Sequence, residues 1–329
     1  MEMKLVICVH HYFQLYQAPE WLAPNLEREF PGLRAISLSS YDDLPREAAD
    51  ADALVAWSVR PGQLAAAKKL RWLHSTMAAV GNVLVPEVVN SDIVVTNSSS
   101  VHGPVVAEHA LALLLALARQ VPRSRDYQRE GRWGLEALYF EGVRPRTVGG
   151  ATLVVVGMGA IGSRVAQMAS ALGMKVFGVR EHPARGGEGA EQVFGFDKLD
   201  DLLPKVDFVV LAAPVTPKTQ GLMNAERLAL LPRTAFIVNV SRGALLDETA
   251  LVAAINEGHL AGAALDVFAE EPLPAASPLW RAPQVLITPH SAALNEHLWQ
   301  RQYECICENL RRFQSGRPLL GVVDKVRGY

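Results

Sequence analysis

The sequence predicts an α/β protein built from two doubly wound parallel sheets. Three observations lead to that class. Two series of short β-rich runs alternate with helical stretches, and such alternation implies right-handed crossovers within a sheet. The runs are continuous in Val, Ile and Leu, as in strands buried on both faces. A glycine-rich turn, GMGAIG at 157–162, stands between one such run and a helical stretch. The 329 residues suffice for about two domains of roughly 150 residues each.

The first series comprises KLVICV (4–9), RAISLS (34–39), ALVAWS (53–58), RWLHST (71–76) and DIVVTN (92–97), with helix-like stretches at 21–30 and 62–70. Residues 101–120, VHGPVVAEHALALLLALARQ, form the longest helix candidate. Pro104 suits its first turn, and a helix apolar on nearly all sides calls for burial between domains or against a partner. Residues 123–150 are polar, aromatic and punctuated by Gly and Pro, the mark of a functional or interfacial excursion. The second series comprises TLVVVG (152–157), KVFGVR (175–180), FVVLAA (208–213), AFIVNVS (235–241), GAALDV (262–267) and QVLITPH (284–290). Residues 296–318 read as a closing helix stopped by Gly316 and Pro318. That helix is expected to return to the first domain and make it discontinuous.

Composition narrows the function. Half the residues are hydrophobic, a fifth are charged and the formal net charge is −2. No basic run argues for nucleic acid. The apolar stretch 105–118 carries Glu108 and His109 and reads as too short to span a bilayer. The N-terminus MEMKLVICVHHYF reads as a first strand rather than a signal peptide. Three cysteines, Cys8, Cys305 and Cys307, suit a reducing cytoplasm. Cys305 and Cys307 face different directions on a helix, and the rest of an HExxH motif is absent around Glu108 and His109, so no metal is expected. The expected partner is a small molecule, with neither nucleic acid nor membrane.

The glycine loop has the context of a dinucleotide site. Gly157 permits a tight turn, Gly159 lets the backbone approach a pyrophosphate, and Gly162 lets helix and strand pack closely. The helix N-terminus beyond offers unpaired N–H groups and a positive dipole end. Met158, Ala160 and Ile161 complete the cofactor-facing loop. Further on, Arg242, Glu271 and His290 each stand just beyond an apolar strand, where the crevice of a doubly wound sheet lies. Each residue taken singly also suits a plain role: His290 as a loop histidine, Arg242 as a surface cap, Glu271 or its neighbour Glu270 as a solvated acid.

Together GMGAIG, NVSRGALLDETAL (239–251), DVFAEEPLP (266–274) and TPHSA (288–292) resemble the NAD(P)-dependent D-2-hydroxyacid dehydrogenase family. VVAEHALALLLALAR and ENLRRFQSGRPL extend the resemblance over nearly the whole chain. It implies a Rossmann cofactor domain, 100–291, inserted in a flavodoxin-like substrate domain, 1–99 and 292–329. It implies interconversion of a 2-keto acid and a D-2-hydroxy acid, with His290 as acid/base, Glu271 as its partner and Arg242 on the substrate. A carboxylate orients an imidazole and stabilises its protonated form, which favours keto-acid reduction. Arginine can grip a carboxylate bidentately and polarise a keto oxygen.

By the same resemblance, the backbone at Ala79 and Val80 binds the substrate carboxylate. The family often has Gly at the first of these positions and Asp where this chain has Gly81, so substrate size is open. Ala212, Ala213 and Pro214 line the adenine side, and Val240 and Ser241 adjoin the cofactor. Asp266 holds the nicotinamide carboxamide, or alternatively caps a structural turn. Arg180 falls where NAD-preferring members carry an acid, so NADP(H) is favoured and NAD(H) is the second possibility. Arg185 can add charge. Glu181, one residue later, argues the other way, and both residues can also be solvated on a loop. The family implies a homodimer, with Trp133, Leu135 and Tyr139 at the interface or near the active site. A dehydrogenase-like NAD(P)-binding regulator without turnover is the alternative of a different class. Formate and phosphoglycerate oxidation are alternatives within the family.

Overall fold

The computed structural model describes residues 3–329. It divides into two compact units, Met1–His102 with Asn295–Tyr329, and Gly103–Leu294.

In the first unit the chain runs β1 (Met3–Cys8), α1 (Leu22–Glu29), β2 (Leu33–Ser37), α2 (Leu44–Ala48), β3 (Ala53–Ala56), β4 (Trp72–Ser75), α3 (Pro86–Val89) and β5 (Val94–Asn97). The five strands are parallel in the order β2-β1-β3-β4-β5. Both faces are covered, which explains the continuous apolar runs. Leu5, Ile7, Val55 and Trp72 belong to one core layer, while Val6, Cys8, Leu54 and Leu73 belong to the other. A boundary between the units falls inside α4 (Ser99–Ala118).

The second unit continues with α5 (Val121–Arg129), α6 (Leu135–Phe140), β6 (Thr152–Val156), α7 (Ala160–Ala171), β7 (Lys175–Val179), β8 (Gln192–Phe194), α8 (Leu199–Leu202) and β9 (Phe208–Leu211). Then follow α9 (Ala225–Leu230), β10 (Phe236–Asn239), α10 (Glu248–Asn256), β11 (Gly262–Leu265) and β12 (Val285–Ile287). The seven strands are parallel in the order β12-β11-β10-β9-β6-β7-β8. Leu153, Val155, Phe208, Val238 and Ala264 face one core, and Val154, Val156, Val209, Ile237 and Leu265 face the other. The strand order reverses between β6 and β9, the point at which such sheets open a crevice. The last helix, α11 (Leu298–Gln314), places Ile306, Cys307 and Leu310 in the core of the first unit.

The structure departs from the sequence reading in some local details and adds to it in others. Residues 62–70 are not helical. They close successive i→i+3 turns, such as Ala67 N–H to Leu64 O at 3.0 Å, because only Leu64, Ala67 and Leu70 turn into the core. Pro104 lies inside α4 rather than in its first turn, since the helix already begins at Ser99. The helix is therefore 20 residues long, and by length and composition it could cross a membrane; Ala107, Ala110, Leu114 and Leu117 are instead buried in the second unit's core. The 123–150 excursion contains most of α5 and all of α6, and β8 is an edge strand too short to stand out in the sequence. In the second unit each of the six apolar runs continues one to three residues beyond the end of its strand. Gly157, Arg180, Ala212, Ala213, Val240, Ser241, Asp266 and His290 thus lie in the loops just beyond the carboxyl ends.

Candidate active site

The glycine loop is shaped by close contacts. Gly157 has φ +99°, and a Cβ there would strike the backbone of Ala212 and Ala213, across the point where the strand order reverses. A Cβ on Gly162 would collide with the Gly157 carbonyl oxygen, so α7 rests directly on the turn. Beside Gly159 nothing lies within 4 Å of where a Cβ would be, which leaves that backbone approachable. Met158 is buried against Gly178 and Gly187 and serves the packing of the loop, while Ala160 is exposed and Ile161 half-buried at the start of α7. The Ser241 hydroxyl donates to the Ala213 carbonyl and joins the turn after β9 to the turn after β10. Val240 is buried in the core, and the Pro214 carbonyl accepts from Thr219 Oγ1 at 2.6 Å.

The three titratable candidates sit at the ends of β10, β11 and β12. His290 Nδ1 lies 2.6 Å from Glu271 Oε2. The carboxylate is an acceptor, so Nδ1 carries the proton of that bond and Nε2 is the ring atom left to exchange a proton with a ligand. Glu271 Oε1 accepts from Phe268 N–H at 2.9 Å, which holds the carboxylate against its own turn. His290 has φ 51°, a left-handed conformation uncommon for a residue with a Cβ. Its N–H is shared between the carbonyls of Asp266 at 2.8 Å and Thr288 at 3.0 Å. Arg242 Nη1 donates to the Ser241 carbonyl at 2.6 Å. Burial lowers the pKa of Arg242 and the nearby charge of Glu271 opposes that shift. A Cβ on Gly243 would overlap the Phe268 carbonyl group, so the arginine turn is seated directly on the glutamate turn.

Asp266 is buried and densely bonded. Its Oδ1 accepts from Thr288 Oγ1 at 2.6 Å and Ser291 N–H at 2.9 Å, and its Oδ2 accepts from Ala292 N–H at 3.0 Å. His109 Nε2 is 3.4 Å from Oδ1 and 3.0 Å from Thr288 Oγ1. Burial alone would raise the Asp266 pKa, but His109, Thr288, Ser291 and Ala292 outweigh it and hold the carboxyl below its usual range. Asp266 therefore organises the 288–292 loop that presents His290, as a turn-capping Asp would.

At the end of β7, Arg180 Nη1 donates to the Gly186 carbonyl at 2.8 Å. Glu181 pairs with Lys218 at 2.7 Å. Arg185 closes a short 3-10 turn before Gly186.

In the first unit, β4 runs into the loop 76–82. Val80 is buried and Ala79 exposed. Among the described residues, the N–H groups of Ala78, Ala79, Val80 and Gly81 have no hydrogen-bond acceptor. Consecutive N–H groups left unpaired are available as donors to an anion.

Comparison with known proteins identifies the frame. Residues 111–292 match the family model for the D-isomer specific 2-hydroxyacid dehydrogenase NAD-binding domain. The chain is 37% identical over 273 residues to a glyoxylate reductase of Korarchaeum cryptofilum, covering 81% of both chains. The chain belongs to the D-isomer specific 2-hydroxyacid dehydrogenase family.

Among family members, a D-3-phosphoglycerate dehydrogenase of Synechocystis is 38% identical over 79% of this chain, but the match spans only 46% of that longer protein. A crystal structure of a D-isomer specific 2-hydroxyacid dehydrogenase from Xanthobacter autotrophicus Py2, in complex with NADPH and MES, superposes with TM-score 0.84 at 34% identity over all of both chains. Within this family frame, several positioning groups escape motif reading. Asn239 Nδ2 donates to the Arg242 carbonyl at 3.0 Å and its Oδ1 accepts from Ser241 N–H at 3.1 Å. Glu248 Oε1 accepts from Ala269 N–H at 2.6 Å and steadies the segment leading to Glu271. His109 and Thr288 brace Asp266. A buried polar residue at a strand end, such as Asn239, was the available signal; the partners themselves were not readable.

Proposed function

We propose that the chain is a 2-keto-acid reductase that interconverts a small 2-keto acid and a D-2-hydroxy acid with NADP(H) as the favoured cofactor. The observation that carries this reading is the 2.6 Å pairing of His290 Nδ1 with Glu271, beside Arg242. When bound, the nicotinamide cofactor supplies or accepts a hydride. The chain's own groups manage charge and protons. His290 Nε2 delivers a proton to the keto oxygen, and Glu271 stabilises the imidazolium before transfer. Arg242 polarises the same oxygen as negative charge develops on it. The N–H groups at Ala79 and Val80 receive the substrate carboxylate.

The dinucleotide fits the second unit. Gly157, Met158, Gly159, Ala160, Ile161 and Gly162 form the diphosphate turn, with the open backbone at Gly159 and the N-terminus of α7 as its donors. Ala212, Ala213 and Pro214 form the adenine side, and Val240, Ser241 and Asp266 the nicotinamide side, Asp266 acting chiefly through the loop it organises. Arg180 reads the 2′-phosphate, supported by the pairing of the competing acid Glu181 with Lys218. The exposed Trp133, Leu135, Tyr139 and Phe140 support a homodimer, and we place the enzyme in the cytoplasm.

The test is NADPH and NADH oxidation in parallel across glyoxylate, hydroxypyruvate, pyruvate, and branched and aromatic keto acids. Turnover that His290→Gln or Arg242→Ala abolishes, with NADPH binding retained, is the expected result. No oxidation with any acid would favour a nucleotide-binding regulator instead.

A further inference from the structure

Two of the unpaired N–H groups of loop 76–82, those of Ala78 and Ala79, owe their direction to the opposite side of their peptides. A planar trans peptide points its C=O and N–H in opposite directions. Three successive carbonyls at the root of this loop are pinned. The Thr76 carbonyl accepts from Gln302 Nε2 at 2.8 Å and His102 Nε2 at 2.9 Å. The Met77 carbonyl accepts from Ser98 N–H at 3.0 Å, and the Ala78 carbonyl from Asn97 Nδ2 at 2.8 Å. The N–H groups of Ala78 and Ala79, on the far side of the last two peptides, are thereby turned away from the fold.

Gln302 is itself oriented by a buried relay. Trp72 Nε1, a donor only, lies 2.8 Å from Thr96 Oγ1. Thr96 Oγ1 is 2.8 Å from His74 Nδ1, and His74 Nε2 is 3.1 Å from Ser98 Oγ. Ser98 Oγ is 2.7 Å from Gln302 Oε1. In one assignment every proton has an acceptor: Trp72 to Thr96, Thr96 to His74 Nδ1, His74 Nε2 to Ser98, Ser98 to Gln302, Gln302 to Thr76. The other histidine tautomer strands the Thr96 proton and leaves Gln302 Oε1 without a donor. All five side chains are at most 1% exposed. A fully satisfied network in such a setting is rigid.

We propose that Asn97 is a positioning residue that clamps the Ala78 carbonyl and so aims the Ala79 N–H at the substrate carboxylate, while Gln302, with His102, steadies the root of the same loop through the Thr76 carbonyl. This rests on the keto-acid reading above. Among the described residues Asn97 is the only side chain bonded to the Ala78 carbonyl, whereas Gln302 shares the Thr76 carbonyl with His102, so the two should differ in effect.

The experiment compares wild type, Asn97→Leu and Gln302→Met in steady-state kinetics with NADPH and the best keto acid. Binding of oxamate, a carboxylate-bearing keto-acid isostere, is measured by calorimetry alongside. Expected are a roughly tenfold rise in KM and oxamate Kd for Asn97→Leu, the scale of one lost hydrogen bond, and a smaller, several-fold rise for Gln302→Met. Because the contact is uniform to ground and transition states, kcat and the Kd for NADPH should stay within about twofold. Folded variants whose KM and oxamate affinity match wild type would overturn the clamp, and Gln302→Met decides the matter should Asn97→Leu not fold. Wild type that binds oxamate without any turnover would refute the reductase reading alone, leaving the clamp to be judged by oxamate affinity. Wild type that neither binds oxamate nor turns over would refute both.

Discussion

His74 makes the stability of the first unit depend on pH in a direction that can be worked out. It is fully buried between Thr96 and Ser98, neutral partners that accept or donate through its uncharged form. Burial pushes its pKa from 6.5 down to about 4, against a smaller opposing effect of Gln302. Between those values the unfolded chain holds the proton and the folded chain does not, so stability rises with pH across that window. Acidification from pH 7 to 4 should therefore remove about 3 kcal/mol, from roughly 2.5 units at 1.36 kcal/mol each. His102, also pushed down by burial, adds a loss of the same sign. The measurement is urea titration at pH 7, 5.5 and 4, read through exchange protection of the β4 amides. His74→Leu should start less stable at pH 7, having lost the relay, yet lose about 3 kcal/mol less than wild type on reaching pH 4. Equal losses in the two proteins would show that His74 is not held neutral by its surroundings.

Three further outcomes follow from the second unit. Gly162→Ala forces the start of α7 off the Gly157 carbonyl and should destabilise the unit by about 1–3 kcal/mol, with weaker NADPH binding by fluorescence titration. Gly243→Ala pushes the Arg242 turn away from Phe268 and Ala269, and kcat/KM should fall at least tenfold while NADPH affinity changes little; retained activity would mean that the two turns are not coupled. Arg180→Asp should weaken NADPH far more than NADH in parallel binding titrations, and equal effects would show that Arg180 does not read the 2′-phosphate.

Much of this molecule was legible before folding. The strands announced themselves because a strand buried on both faces must be apolar at every position, a local property of residues such as 153–156 and 208–211. Arg242, Glu271 and His290 were legible as strand-end residues, and the glycine loop by its spacing. Where local pattern was the only guide it also misled. The stretch 62–70 has helix-like composition, but its three core-facing residues recur every third position and the chain makes turns.

What only the tertiary structure decided is which polar groups meet. Asp266 and the 288–292 loop lie more than 20 residues apart, yet one carboxylate collects Thr288, Ser291 and Ala292 and so sets the placing of His290. Gln302 reaches the Thr76 carbonyl across 226 positions of sequence. The sequence alone determined the two parallel sheets and the residue types at their carboxyl ends, because burial acts on each position through its own side chain. Hydrogen-bond partnership is a property of pairs, and it exists only once strand order and crossover have brought distant loops to one edge of a sheet.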